Sequence, residues 1–360
     1  MRTFGNSFVK RCILSSAAAA IGLALAGGAA AEAGKCKMGR IAEWPLRPVR
    51  TEYYPLVIDG AINGQKVGIV LGTGGDVSLI LRSAAKRLGL TGHGAGRVFG
   101  IGGEIHAEVT QVDEFRIGQA VWKNWRVRVA GEGDFGGEGD LGGDVAVLLG
   151  DPFFEQVDVE FDLAHNAIRL YETKDCEGMS LAYWATEPAG EVPIEAGSGI
   201  RFTVEINAKP IRAQLDSGSS TSILTKPDAA RLGVTPESPG IVAGACIRDS
   251  ETKRTLDTWI GQFESFAIGN ERIRNPRIHF ADLWKNMTYT KTGSRLPTQF
   301  VSRPDMLLGA DFLRAHRALV ARSQHKMYFT YAGGTVFPSK PSKGCNQPSP
   351  GNPPAEPPTK

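Results

Sequence analysis

The chain has 360 residues, enough for two domains that each bury a core. Its 44 glycines and 8% aromatic content suit a turn-rich β protein better than a helical one. The formal net charge is +3, and three of the positive charges (Arg2, Lys10, Arg11) fall in an acid-free first 31 residues. The remainder is therefore close to neutral and gives no electrostatic case for a nucleic-acid partner or an anionic membrane.

The N-terminus reads as an export signal over residues 1–31. A basic start precedes an apolar stretch from Ile13 to Ala26, and Ala29-Ala30-Ala31 forms a small-residue cleavage site. An uncleaved anchor fits less well, because the stretch is rich in Ala and Gly. Lys35 before Cys36 argues against lipid attachment. No later stretch is long and apolar enough for a bilayer-crossing helix, so no membrane association is expected after signal cleavage. The expected location is the periplasm or the extracellular medium. Cleavage removes Cys12 and leaves Cys36, Cys176, Cys246 and Cys345, an even number suited to an oxidising compartment. One bridge per half is expected, although four cysteines allow three pairings. The six histidines show no ligand spacing and there is no Cys-x-x-Cys, so no metal is expected.

The chain is internally duplicated. Residues 58–90 align without a gap on residues 202–234. Ile62-Asn63 matches Ile206-Asn207, Leu71 matches Leu215, Gly74 matches Gly218, and Ser78 matches Ser222. The run Ala85, Arg87, Leu88, Gly89 matches Ala229, Arg231, Leu232, Gly233. Each copy predicts a strand, a turn at Asn-Gly or Asn-Ala, a second strand, a glycine-rich turn, a third strand and a short helix stopped at Leu-Gly. Further on, Phe115-x-Ile117-Gly118 with Asn124-x-Arg126 matches Phe266-x-Ile268-Gly269 with Asn275-x-Arg277, and predicts a hairpin turning after Ile-Gly. A third match pairs Leu148-Leu149-Gly150 with Leu307-Leu308-Gly309. A strand pair closes each copy.

These matches divide the chain into an N-terminal extension at 32–49, lobes at 50–175 and 193–335, and a linker at 176–192. A Pro/Ser-rich tail at 336–360 reads as disordered. The Gly/Asp/Glu-rich stretch from Gly131 to Gly143 reads as a mobile surface loop. It is not a phosphate cradle, since its carboxylates would repel phosphate. Asn286-Met287-Thr288 spells a glycosylation sequon.

The second copy carries Leu215-Asp216-Ser217-Gly218-Ser219 and, later, Leu307-Leu308-Gly309. The first carries Leu71-Gly72-Thr73-Gly74-Gly75 and Leu148-Leu149-Gly150. Together they resemble the retropepsin-like aspartic proteases of the pepsin clan, in a tandem single-chain form covering about residues 50–335. The resemblance implies an all-β, two-lobed fold with barrel-like lobes, short helices and a cleft between the lobes. It also implies an endopeptidase that hydrolyses peptide bonds in extended polypeptide without a cofactor. In that chemistry two close carboxylates share a proton; one activates water while the other polarises the peptide carbonyl. The catalytic positions are then Asp216 and, in the other lobe, Gly72, where the second aspartate is missing. Ser217 and Thr73 would bond across between the two turns, and Gly74 and Gly218 would permit close backbone approach.

The resemblance also places Gly74, Asp76, Gly218, Ser219, Gly102 and Gly103 along the substrate. Asp76 would contact substrate backbone or cap its own turn. Val98 to Glu104 would form a glycine-rich flap, with Ile241 to Cys246 as its counterpart. Two readings follow from Gly72. One is an endopeptidase running on Asp216, its second aspartate supplied by another chain in a homodimer or lost by substitution from an active parent. The other is a monomeric or dimeric pseudoprotease that binds extended peptide by strand addition without cutting it.

Overall fold

The computed structural model describes residues 36–48, 55–101, 103–131, 143–248, 255–286, 288–290, 297–299, 303–342 and 344–346. The export signal, most of the Gly/Asp/Glu-rich loop, Gly102, Met287 of the sequon and residues 347–360 lie outside them.

The strand Gln65–Gly72 is an unbroken apolar run after its first two residues and is buried on both faces. It forms a hairpin with Val57–Ile62 through Asn63-Gly64, both at positive φ (48° and 78°). That is the turn geometry matching the twist of paired strands. The equivalent hairpin joins Arg201–Ile206 to Lys209–Leu215 through Asn207-Ala208, again both at positive φ (51° and 56°). In each, the asparagine Oδ1 accepts a backbone N–H from the following hairpin: Glu114 N at 2.9 Å and Glu264 N at 2.8 Å. The short helices Arg82–Arg87 and Lys226–Arg231 lead into Leu88-Gly89 and Leu232-Gly233, both glycines being left-handed as the repeat predicts.

These pieces assemble into a seven-stranded sheet in the first half and a nine-stranded sheet in the second. In each, the Leu-Leu-Gly strand inserts beside the strand that leads into the glycine-rich turn. Val145–Gly150 runs parallel to Gln65–Gly72, placing Gly72 opposite Gly150; Met306–Leu308 runs parallel to Lys209–Leu215.

The closing strand pairs do not stay with their own halves. Lys37–Pro45, Ala167–Lys174, Asp158–Asp162, His316–Ala321, Lys326–Tyr331 and Gly190–Pro193 form one six-stranded antiparallel sheet, in that order. Its middle seam joins Asp158–Asp162 of the first half to His316–Ala321 of the second. The expected N-terminal extension and linker thus each supply an edge strand. At the seam the buried Glu160 carboxylate accepts from Tyr171 and Arg169 of the first half, Tyr183, and Arg317 of the second, all at 2.8–2.9 Å. One hydrophobic cluster continues across both halves, from Ile58, Leu71 and Phe115 to Phe202, Phe266 and Phe312.

The two bridges are Cys36–Cys176 and Cys246–Cys345. The second corrects the reading of the tail. Phe337 is 4% exposed and packs edge-on against Phe266 at 4.9 Å. Ser342 N donates to Ala243 O at 2.9 Å. An apolar side chain, a backbone hydrogen bond and a disulfide thus hold Phe337, Ser342 and Cys345 to the second half, despite the Pro/Ser-rich composition around them.

Candidate active site

The two glycine-rich turns meet at the centre of the molecule. Thr73 and Ser217, both fully buried, interlock them. Thr73 Oγ1 donates to Leu215 O (3.0 Å) and accepts from Ser217 N (3.0 Å). Reciprocally, Ser217 Oγ donates to Leu71 O (2.7 Å) and accepts from Thr73 N (3.2 Å). Four hydrogen bonds related by the duplication satisfy every one of these buried groups, as a dry site requires. Beneath each turn a serine and a glycine lock the crossing strand: Gly150 N donates to Ser78 Oγ (3.0 Å), and Gly309 N to Ser222 Oγ (2.9 Å).

Asp216 stands at the end of its strand with Oδ1 cradled by two backbone N–H groups, Gly218 N at 2.9 Å and Gly74 N at 3.2 Å. Burial pushes its carboxyl above the ordinary carboxylate range, against the opposing pull of the Gly218, Gly74 and Ser219 N–H groups. The proton is therefore held to higher pH than on a free aspartate.

The partner position holds no carboxylate. Gly72 lies across from Gly218, and a Cβ built on Gly218 would be 3.1 Å from Gly72 Cα. A Cβ on Gly72 would lie 2.5 Å from Leu148 Cδ1 and 3.3 Å from its Cγ. Leu148 thus occupies the space at the root of the missing side chain. By contrast, a Cβ on Gly74 would meet the Asp216 carboxylate carbon at 2.3 Å, so glycine is required there.

The structure brings Gly72, Thr73, Gly74, Asp216, Ser217, Gly218 and Ser219 together. Ser219 is used internally, its Oγ donating to Thr221 O at 2.7 Å. Asp76 is exposed and makes no side-chain hydrogen bond among the described residues. The expected first flap is a hairpin of His93–Gly100 with Gly103–Ile117, where Gly100 pairs with Gly103. Its tip residue Ile101 packs against the second-half cluster formed by Ile223, Leu256, Ala281, Leu283 and Leu307. The expected second flap is displaced in sequence. Val242–Ala243 pairs with Thr258–Gln262, and the hairpin proper is Ile247–Arg248 with Thr255–Leu256, immediately after the pinned Cys246.

Three residues take roles that the sequence motifs do not assign. Leu148 shapes the vacant position. Gln214 Nε2 donates across to Gly74 O (3.2 Å) and is itself held by Arg201 (3.0 Å). The buried Asp311 accepts from Ser222 N (2.7 Å), Ser222 Oγ (2.6 Å) and Phe312 N (2.8 Å), bracing only the Asp216 side. Its repeat equivalent is Pro152, and the neighbouring Asp151 instead ties the halves together, accepting from Gly199 N at 3.0 Å and pairing with Arg322.

A family model described as aspartyl protease matches the chain twice, over residues 58–153 and 202–312. The chain belongs to the retropepsin-like aspartyl protease family, in a tandem two-lobed form. A comparison with curated proteins found no match. The two disulfides point to a non-cytoplasmic setting. No helix among the described residues is long and apolar enough to cross a membrane.

Proposed function

We propose that this protein is an exported, catalysis-depleted aspartyl protease that holds extended polypeptide in the cleft between its halves and hydrolyses it slowly, if at all, through Asp216 alone. The observation that carries this reading is the glycine at position 72, with Leu148 packed where a second carboxylate would be rooted and an intact interlock on either side. A protonated Asp216 donates a hydrogen bond to a peptide carbonyl. The opposite turn then has no base to activate the attacking water, and that half of acid–base catalysis is worth about a hundredfold or more. Binding survives the loss, because it draws on the flap strands, the turn glycines and the exposed Asp76 rather than on the second carboxylate.

The reading in which another chain supplies the missing aspartate has less support. Both hydroxyls of the interlock are consumed within the chain, and the six-stranded sheet interleaves the halves, so exchange of a lobe would break both. The direct test incubates the disulfide-intact chain at pH 5 with a fluorescently labelled apolar decapeptide, following anisotropy and, by mass spectrometry, cleavage. The expected result is saturable binding with the peptide recovered intact over many binding lifetimes. Turnover at the rate of the Gly72→Asp variant overturns the reading, as does absence of binding.

A further inference from the structure

Beside the first-half turn lies a cavity of about 580 Å³. Val77, Val109, Trp125, Pro152 and Phe153 give it a largely apolar lining, to which Ser78, Arg126 and Arg128 also contribute. The two arginines are both exposed, and as alternate residues of the strand Ala120–Val129 they project from the same face. Neither side chain has a hydrogen bond or ion pair among the described residues, and no acid lines the cavity. Most other arginines of this half are engaged: Arg47 with Asp59 and Asp144, Arg97 with Glu104, Arg116 with Glu114. An open cationic pair beside a largely apolar lining is therefore unusual within this lobe.

The cavity begins where the first-half turn ends along the chain. Val77 and Ser78 directly follow the turn that runs from Gly72 to Asp76, and Ser78 holds the glycine beneath that turn. Val77 also packs under the flap with Val98, Ile105, Ala107 and Ala130. The duplication shows what this place looks like when it is filled. Arg126 and Arg128 align with Arg277 and His279. His279 is 6% exposed, lying beneath Gly244, and the neighbouring Ala243 bonds to the tail at Ser342. The second half thus buries the place of Arg128 under its own chain, while Arg277 stays exposed like Arg126, so the halves differ at Arg128.

We infer that this cavity is a specificity subsite that takes an acidic side chain, glutamate or aspartate, of the polypeptide held in the cleft. This deepens the polypeptide-binding reading and rests on it. Two guanidinium forks on one strand match the geometry of a carboxylate, and the apolar lining accommodates the methylene stem and its neighbours.

The test compares two labelled decapeptides that differ only in carrying four glutamates or four glutamines among valines and serines. They are titrated into the disulfide-intact chain and into Arg126→Gln/Arg128→Gln and Arg126→Glu/Arg128→Glu variants, with thermal melting confirming that each folds. The native chain should bind the glutamate peptide about fivefold to tenfold more tightly than the glutamine peptide, a preference weakened by 0.5 M salt. The Gln variant should lose the preference while keeping its affinity for the glutamine peptide. The Glu variant should reverse it, favouring a four-lysine version of the peptide. Equal affinity of the native chain for the glutamate and glutamine peptides overturns the subsite and leaves the cleft reading standing. Failure of all the peptides to bind overturns both.

Discussion

The turn at Gly72 and the turn at Asp216 descend from one duplicated unit, yet only their scaffolding has stayed alike. The interlock is symmetric to within a few tenths of an ångström, with each hydroxyl donating to a carbonyl across the interface and accepting an N–H from it. The carboxylates are not: one turn holds Asp216 in a cradle of N–H groups, and the other holds a glycine beside a leucine. The interlock joins the halves whether or not either turn carries out chemistry, so its preservation says nothing about catalysis. Stability and reactivity sit on adjacent residues of the same turns and are separable. The surroundings are unequal too: Asp311 braces the Asp216 turn, Gln214 reaches across from the second half to Gly74 of the opposite turn, and neither has a counterpart in the first half.

That separation can be tested from its largest consequence down. Thr73→Val leaves Ser217 N and Leu215 O buried without partners, and Ser217→Ala does the same to Thr73 N and Leu71 O. Each should cost about 2–5 kcal/mol in denaturant unfolding, and the two costs should be equal within error. Unequal costs would show that the interlock is not symmetric in energy as it is in geometry.

A smaller effect separates the aligned pair Arg128 and His279. Burial pulls His279 down to about 4, whereas the unfolded side chain takes a proton near 6.5. The folded state binds fewer protons in that window. Its proton linkage therefore costs nothing above the unfolded value, and stability falls as the pH drops toward about 4, by about 3 kcal/mol in total. His279→Leu should melt at nearly the native temperature at pH 7.5 and at a higher one at pH 4.5. Arg128→Leu should show no such pH dependence.

Smaller again is the pair of turn glycines. An alanine Cβ at Gly74 would collide with the Asp216 carboxylate at 2.3 Å, while one at Gly218 meets nothing closer than 3.1 Å because Gly72 carries no side chain. Gly74→Ala should cost about 2–3 kcal/mol and Gly218→Ala about 1 kcal/mol or less. In the Gly72→Asp background the two costs should converge.

Much of this molecule is legible in its sequence because duplication writes each local solution twice. The Asn63-Gly64 and Asn207-Ala208 turns, the helices ending at Leu88-Gly89 and Leu232-Gly233, and the pairing of the two glycine-rich turns all follow from short-range chemistry and alignment. The Leu148 packing at position 72 does not, since Leu307 occupies the matching position beside an aspartate and only the fold shows which way each side chain moves. The shared six-stranded sheet is equally hidden, because Lys37–Pro45 and Gly190–Pro193 find their partners far along the chain. Phe337 and Cys345 hold a segment whose composition alone reads as unstructured; two residues outweigh the prolines around them.

The central claim is that one missing carboxylate, and not a damaged cleft, limits hydrolysis. It is tested most directly by measuring kcat/KM at pH 4–5 on unfolded protein for the native chain, Gly72→Asp, and Gly72→Asp/Leu148→Ala, the last making room at Leu148 Cδ1. The account predicts a gain of at least about a hundredfold on restoring the aspartate, equal or larger with Leu148 truncated, and abolished by Asp216→Asn. A native chain that cleaves as fast as either restored variant would contradict it.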